Sequence, residues 1–221
     1  MIGEPEDGLA LWRVGYHADP LGFTPLEIYE FSHRFDDLHR RFRTLYCAEL
    51  AETCLREVLA DFRPNLAAQR RHIERYGPQA VEDFTRAPVT AQWRVQHVLI
   101  RATVRLDGPL IDLTDVPTRQ EIEHRHVQLL AEHDMGHLDL HEITTSRRAI
   151  TQTIAADLFD RGASAVRFPS RLDGYACVAL FEGRGGGMLC PTLPHVCHGR
   201  TDRFEPSTTA ARFDERLFKG I

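Results

Sequence analysis

The chain has 221 residues, a formal net charge of −5, and 43% hydrophobic and 27% charged residues, the composition of an ordinary globular protein with room for one substantial core. The negative balance argues against general electrostatic binding to nucleic acid or to an anionic membrane, and no apolar run nears the roughly 20 residues of a membrane-spanning helix. The five cysteines (Cys47, Cys54, Cys177, Cys190, Cys197) are odd in number, form no regular framework and follow no signal peptide, which predicts free thiols and a cytoplasmic location.

An acidic lead, Met1 to Gly8, precedes a short apolar strand at Leu9 to Val14 (LALWRV). Arg13 interrupts that strand, as an edge or solvent-facing position does. His17 to Tyr29 contains Pro20, Gly22 and Pro25 and reads as a loop, a common place for a ligand site. Arg43 to Ala48 (RTLYCA) is a second strand. Leu50, Cys54, Leu55, Val58, Leu59 and Phe62 then recur at helical spacing, predicting a helix with one buried face. Glu57 lies beside that apolar stripe, so its carboxylate either reaches out to water or faces a cavity where its charge is used.

Asn65 to Phe84 predicts a helix broken at Gly77-Pro78. Trp93 to Leu106 alternates, with Val98, Ile100, Ala102, Val104 and Leu106 on one face, and predicts a half-buried strand. A turn at Gly108-Pro109 leads to a strand at Leu110 to Thr114. Asp115 and Pro117 suit the start of a helix running to about His133. Ser146 can cap the next helix, in which Ile150, Ile154, Leu158 and Phe159 precede a stop at Gly162. Ala163 to Phe168 and Tyr175 to Phe181 are the closing strands, and no clear element follows Gly183. Strands and helices without a regular βαβ rhythm predict an α+β fold in one domain spanning 1–221, with its core at about 9–182 and an irregular extension at 183–221.

Three groups of residues suggest chemistry by type alone. His133, His137 and His141 are spaced by four, but Asp134 and Gly136 interrupt the helix and no HExxH glutamate is present, so a solvated loop is the better reading. Cys190, His195, Cys197 and His198 have zinc-binding types without paired knuckle spacing. Gly183 to Gly187 is glycine-rich, yet Met188 to Pro191 follows instead of a helix N-terminus, so it reads as a turn. No metal and no cofactor is expected.

The remaining signal is distributed over the chain. LWR ends at Arg13, RF at Arg34 and Phe35 is followed by Asp36, and LY ends at Tyr46, eleven residues before Glu57 in LREVL. IDLTD and then FPS, ending at Ser170, precede a last LF strand. In this order and spacing, from about Leu9 to Glu182, the chain resembles the RES-domain family, named for arginine, glutamate and serine.

That resemblance implies a fold like that of ADP-ribosyltransferase toxins and the activity of an NAD+-degrading toxin from a bacterial toxin–antitoxin pair. The implied reaction cleaves the nicotinamide–ribose bond, a glycosyl transfer. Inorganic phosphate as acceptor gives ADP-ribose-1″-phosphate, the NAD+ phosphorylase reaction, and water gives hydrolysis. The alternatives are an ADP-ribosyltransferase and a non-catalytic interaction module. Glu57 is the implied stabiliser of positive charge on the ribose, against an ordinary exposed helix glutamate. Arg13 and Arg34 are implied grips for the pyrophosphate or the attacking phosphate, against surface ion pairs. Tyr46 offers a ring and a hydroxyl to nicotinamide, against a core tyrosine. The hydroxyl and backbone N–H of Ser170 are implied phosphate donors, and His33 is placed near the site. The partners implied are NAD+, phosphate, a cognate antitoxin that carries any DNA binding, and a second copy in a homodimer.

Overall fold

In the computed structural model, which describes residues 8–84, 89–184 and 190–191, the apolar runs of the sequence become strands of one sheet. These are β1 (Leu9–Tyr16), β2 (Thr44–Ala48), β3 (His97–Val104), β4 (Leu110–Asp112), β5 (Ala165–Pro169), β6 (Ala176–Phe181) and β7 (Cys190–Pro191). They lie in the order β4-β5-β6-β2-β1-β3-β7. β4 and β5 run parallel, and the other neighbours are antiparallel. Between them stand α1 (Ala51–Val58), α2 (Leu66–Tyr76), α3 (Ala91–Gln96), α4 (Val116–Arg125), α5 (Val127–Glu132), α6 (Leu140–Thr144) and α7 (Arg148–Asp160). The fold is α+β.

Side chains alternate across a strand, so neighbours in sequence enter different cores. Ala48 on β2, Val166 and Phe168 on β5, and Cys177, Ala179 and Phe181 on β6 join the larger core with Ile122, Leu130, Ile143, Ile150, Ile154 and Leu158. Leu45, Cys47, Ala165, Val178 and Leu180 face the other way and join Leu11 and Val104 under Phe23, Leu106 and Leu110. α7 shows why the larger core is helical: Ile150, Ile154 and Leu158 recur every fourth residue and are buried. Gly162 ends that helix with a φ of 89°, a left-handed conformation that favours glycine.

The register puts the site at one end of the sheet. Phe168 pairs with Cys177, Cys177 with Ala48, and Ala48 with Trp12. β2 and β5 therefore finish at the same end of the sheet, on either side of β6, and α1 starts where the turn after β5 also begins.

Several expectations are corrected. Residues 93–96 are helical, because Thr90 caps α3 by accepting the Trp93 N–H at 3.1 Å; the strand starts at His97. Leu99, expected opposite Ala102, is buried in the larger core while Val104 joins the smaller one, so both faces of β3 are covered. The helix from Leu50 tightens into a 3-10 turn at Leu59–Phe62. The one starting after Asp115 breaks at His126 into α4 and α5. Ser146 does not cap α7: Arg147 holds the N-cap position and its N–H donates to Thr145 Oγ1 at 3.1 Å. Cys190–Pro191 adds a short strand beyond Gly183, where none is expected. His133, His137 and His141 do not share a helix face, and His137 pairs with Glu123 at 3.1 Å. Gly185 to Gly187, His195, Cys197 and His198 lie outside the described residues. Among the described residues no cluster of His, Cys, Asp and Glu is arranged to hold a metal ion, no helix is long and apolar enough to cross a membrane, and Cys47, Cys54 and Cys177 are buried free thiols.

Candidate active site

α1 buries Thr53, Cys54 and Leu55. Thr53 and Glu57 are four residues apart, so they share the helix flank that faces the turn after β5. Both are bonded to that turn. Thr53 Oγ1 donates to Asp173 Oδ2 at 3.0 Å, and Ser170 Oγ donates to Glu57 Oε1 at 2.5 Å. Ser170 is buried, while Glu57 stays half-buried. Leu172 donates its N–H to Ser170 Oγ at 3.1 Å, which leaves the hydroxyl hydrogen for Glu57. The Ser170 backbone N–H is already given to the Tyr175 carbonyl at 2.7 Å. The N–H expected to meet phosphate is thus engaged within the protein. Both donors of Ser170 serve the protein, and the residue orients Glu57.

The second part of the site is the segment from Tyr29 to Asp37, which hangs on one fully buried carboxylate. Asp36 accepts the Tyr29 hydroxyl at 2.7 Å, the Tyr46 hydroxyl at 3.2 Å and the His33 N–H at 2.7 Å. Tyr46 also accepts the Phe35 N–H at 2.8 Å. Burial, reinforced by the charge of Asp36, holds the Tyr46 hydroxyl far above its ordinary pKa, so it stays neutral and can donate. The hydroxyl expected to meet substrate thus fixes this segment. The Tyr46 ring edge meets the exposed His33 at 5.5 Å between centroids.

Arg34 projects from the same segment. Its Nη1 donates to the carbonyls of Ile143 and Thr145 at 2.5 and 2.6 Å, and Nη2 to that of Thr144 at 2.9 Å. These are the last carbonyls of α6, which the helix itself leaves unpaired. Three of five N–H donors close that helix and two remain. Burial, then the nearby Arg171, lowers the pKa of Arg34, and Tyr46 and Glu57 oppose them. Arg34 and Glu57 therefore sense each other's charge.

Arg13 is neither at an edge nor turned to solvent. β1 lies between β2 and β3 and pairs with β2 only at Trp12 and Ala48. Arg13 Nη1 donates at 3.0 Å to the carbonyl of Tyr46 and Nε at 3.0 Å to that of Pro20. An arginine satisfies a strand carbonyl that would otherwise be open. The close loop explains Gly15, where a Cβ would fall 2.1 Å from the Pro20 carbonyl oxygen. Burial lowers the pKa of Arg13. None of its hydrogen bonds among the described residues goes to Glu57 or Ser170, so it supports Tyr46 from behind.

The fold thus joins Glu57 with Ser170, and Tyr46 with His33, and brings Arg34 within electrostatic reach of Glu57. Reading the sequence alone misses Asp36 as a hub, Asp173 as the anchor of the Ser170 turn, and Gln152. The Gln152 amide donates to the carbonyls of Phe31 and His33 at 3.1 and 2.9 Å. The i, i+4 pair Thr53 and Glu57 is the local signal that was available. Chemically, the arrangement offers a half-buried carboxylate with one oxygen fixed and the other without a hydrogen bond among the described residues.

A family model described as the RES domain matches residues 10–200. No curated protein matches the chain. Among solved structures, the crystal structure of the M. tuberculosis MbcT–MbcA toxin–antitoxin complex aligns with a TM-score of 0.47 and 17% identity, covering 78% of this chain and 73% of that one.

Proposed function

Because this chain belongs to the RES-domain family, we propose that it degrades NAD+ by cleaving the nicotinamide–ribose bond, with inorganic phosphate as acceptor, as the toxin of a toxin–antitoxin pair. The observation that carries the reading is Glu57, half-buried, gripped at one oxygen by Ser170 at 2.5 Å and without a hydrogen bond at the other among the described residues.

The chemistry needs such a group. As the bond between the ribose carbon and the pyridinium nitrogen breaks, its electron pair passes to nitrogen and neutral nicotinamide leaves. No acid is required. Positive charge then builds on the ribose, and a fixed, partly desolvated carboxylate stabilises it more strongly than water does. Ser170 holds that carboxylate in place before the charge appears. Tyr46 and Asp36 keep His33 and Arg34 where a substrate lying against Glu57 meets them.

Incubating the pure protein with NAD+, with and without inorganic phosphate, and identifying products by mass tests the reading. ADP-ribose-1″-phosphate with nicotinamide is the expected result. Nicotinamide and ADP-ribose independent of phosphate replace phosphorolysis by hydrolysis, and a labelled macromolecule replaces it by ADP-ribosyl transfer. Intact NAD+ leaves a binding module. The cognate antitoxin is proposed as a partner that blocks this site, and co-expression with the neighbouring open reading frame should restore growth.

A further inference from the structure

The loop that carries His33 is held from outside by α7. Arg148 and Gln152 are four residues apart on that helix and share one of its faces. Between them they take three successive carbonyls of the loop. Arg148 Nη1 donates to that of Ser32, and Gln152 Nε2 donates to those of Phe31 and His33 at 3.1 and 2.9 Å. Gln152 is buried, whereas the side chain of His33 is exposed. An amide suits the place because its NH2 group has a hydrogen for each oxygen, and a carboxylate of the same shape would bring none. The loop needs holding. Phe31 has a φ of 52°, a left-handed conformation that a bulky residue adopts at a steric cost. His33 is pinned on both sides, its N–H given to Asp36 at 2.7 Å and its carbonyl to Gln152. Ring contacts then lead from this loop to Glu57. The His33 ring meets Tyr46 at 5.5 Å, Tyr46 meets Phe168 at 6.5 Å, and Phe35 meets Phe168 at 4.7 Å. Phe168 lies two residues before Ser170, whose hydroxyl holds Glu57.

We propose that Gln152 is a positioning residue for the reaction: from α7 it locks the Phe31 to His33 loop in its left-handed turn before substrate arrives. His33 then stands in place at the rim of the Glu57 site. The inference rests on the NAD+-cleaving reading. A loop that is already ordered has little freedom left to lose when substrate binds, so the clamp acts on binding more than on bond breaking. Without the two amide bonds Phe31 is free to leave the left-handed region, and binding has to restore the turn at a cost in affinity.

Gln152→Leu keeps the bulk of the side chain and removes both donors. Nicotinamide release by the full chain should show its KM for NAD+ raised about tenfold, with kcat moving less. Gln152→Asn, which keeps the amide on a shorter stem, should recover part of the loss. Ile154→Val, a buried change on the same helix, lowers stability without touching the loop and should leave KM unchanged. Hydrogen exchange followed by mass should quicken about tenfold in the peptide spanning 29–37 of Gln152→Leu, as two hydrogen bonds are lost, and not in Ile154→Val. A KM for Gln152→Leu within about a factor of two of the parent's, or an equal rise in Ile154→Val, overturns the role. If Gln152→Leu does not fold, Gln152→Asn is read in its place against the same limits. If the parent releases no nicotinamide, the NAD+ reading fails by itself and exchange decides the clamp. Faster exchange confined to the loop supports it; exchange equal to the parent's removes it.

Discussion

The Ser170 hydroxyl donates to Glu57 Oε1 at 2.5 Å across 113 positions of sequence, and joins the end of β5 to the last turn of α1. The serine is buried and the glutamate is not fully so. One oxygen is therefore fixed inside the protein while the carboxylate remains accessible. This geometry suits a charge that acts on a bound cation.

Glu57→Gln should keep the fold and lose turnover. Removing a preorganised electrostatic contact typically costs about 3–4 kcal/mol, or roughly 10²–10³ in rate. The KM for NAD+ should move far less, because the charge on the ribose develops only in the transition state. Steady-state kinetics with a melting curve check this. Turnover within a factor of two of the parent would rule out the role given to Glu57.

Ser170→Ala should lower kcat by about tenfold while NAD+ binding changes little, since it frees the carboxylate without removing its charge. A crystal structure of the variant should show Glu57 in more than one rotamer. An unchanged kcat means that the serine only closes the turn before Leu172.

Arg34→Ala should destabilise the protein besides affecting substrate. Three carbonyls at the end of α6 lose a charged donor, a loss of about 2–3 kcal/mol, which lowers Tm by roughly 4–12 °C for a chain of this size. Arg34→Lys should restore only part, because an ammonium lacks the planar fork that reaches three carbonyls. A Tm equal to the parent's means that α6 closes without Arg34.

Glu182 provides a pH test remote from Glu57. It is held by Arg43, with Nε to Oε2 at 2.7 Å and a second, shorter Nη2 to Oε1 contact, and that pairing lowers its pKa below the ordinary 4.5. A depressed carboxylate pKa contributes stability above the unfolded value and loses it as pH falls through the folded value. The parent should therefore lose part of its Tm below about pH 4.5. Glu182→Gln should start about 2–4 °C lower at pH 7, for roughly 1 kcal/mol of a partly screened pair, and fall less steeply in acid. Parallel pH curves for the two proteins contradict this.

The sequence alone determined what is local. The periods of LALWRV, TLYCA and the Ile150 to Leu158 run specify strands and a helix, because burial of every second or every fourth residue leaves its mark on neighbouring positions. The order of short motifs from Arg13 to Ser170 was enough to read the family. Where each polar side chain ends was not legible, since a hydrogen-bond partner is chosen across the fold and leaves no spacing behind. That the Ser170 hydroxyl meets Glu57 follows only from the β5-β6-β2 register, which brings the two together. Arg34 reads only as a ligand arginine, and its second use is hidden: α6, itself invisible in the sequence pattern, presents three open carbonyls to it. Arg13 reads as an edge residue because its strand gives no sign of lying between two others. Only the tertiary structure decided these, for a physical reason: a desolvated polar group must find a partner, and the sheet order determines which one is within reach.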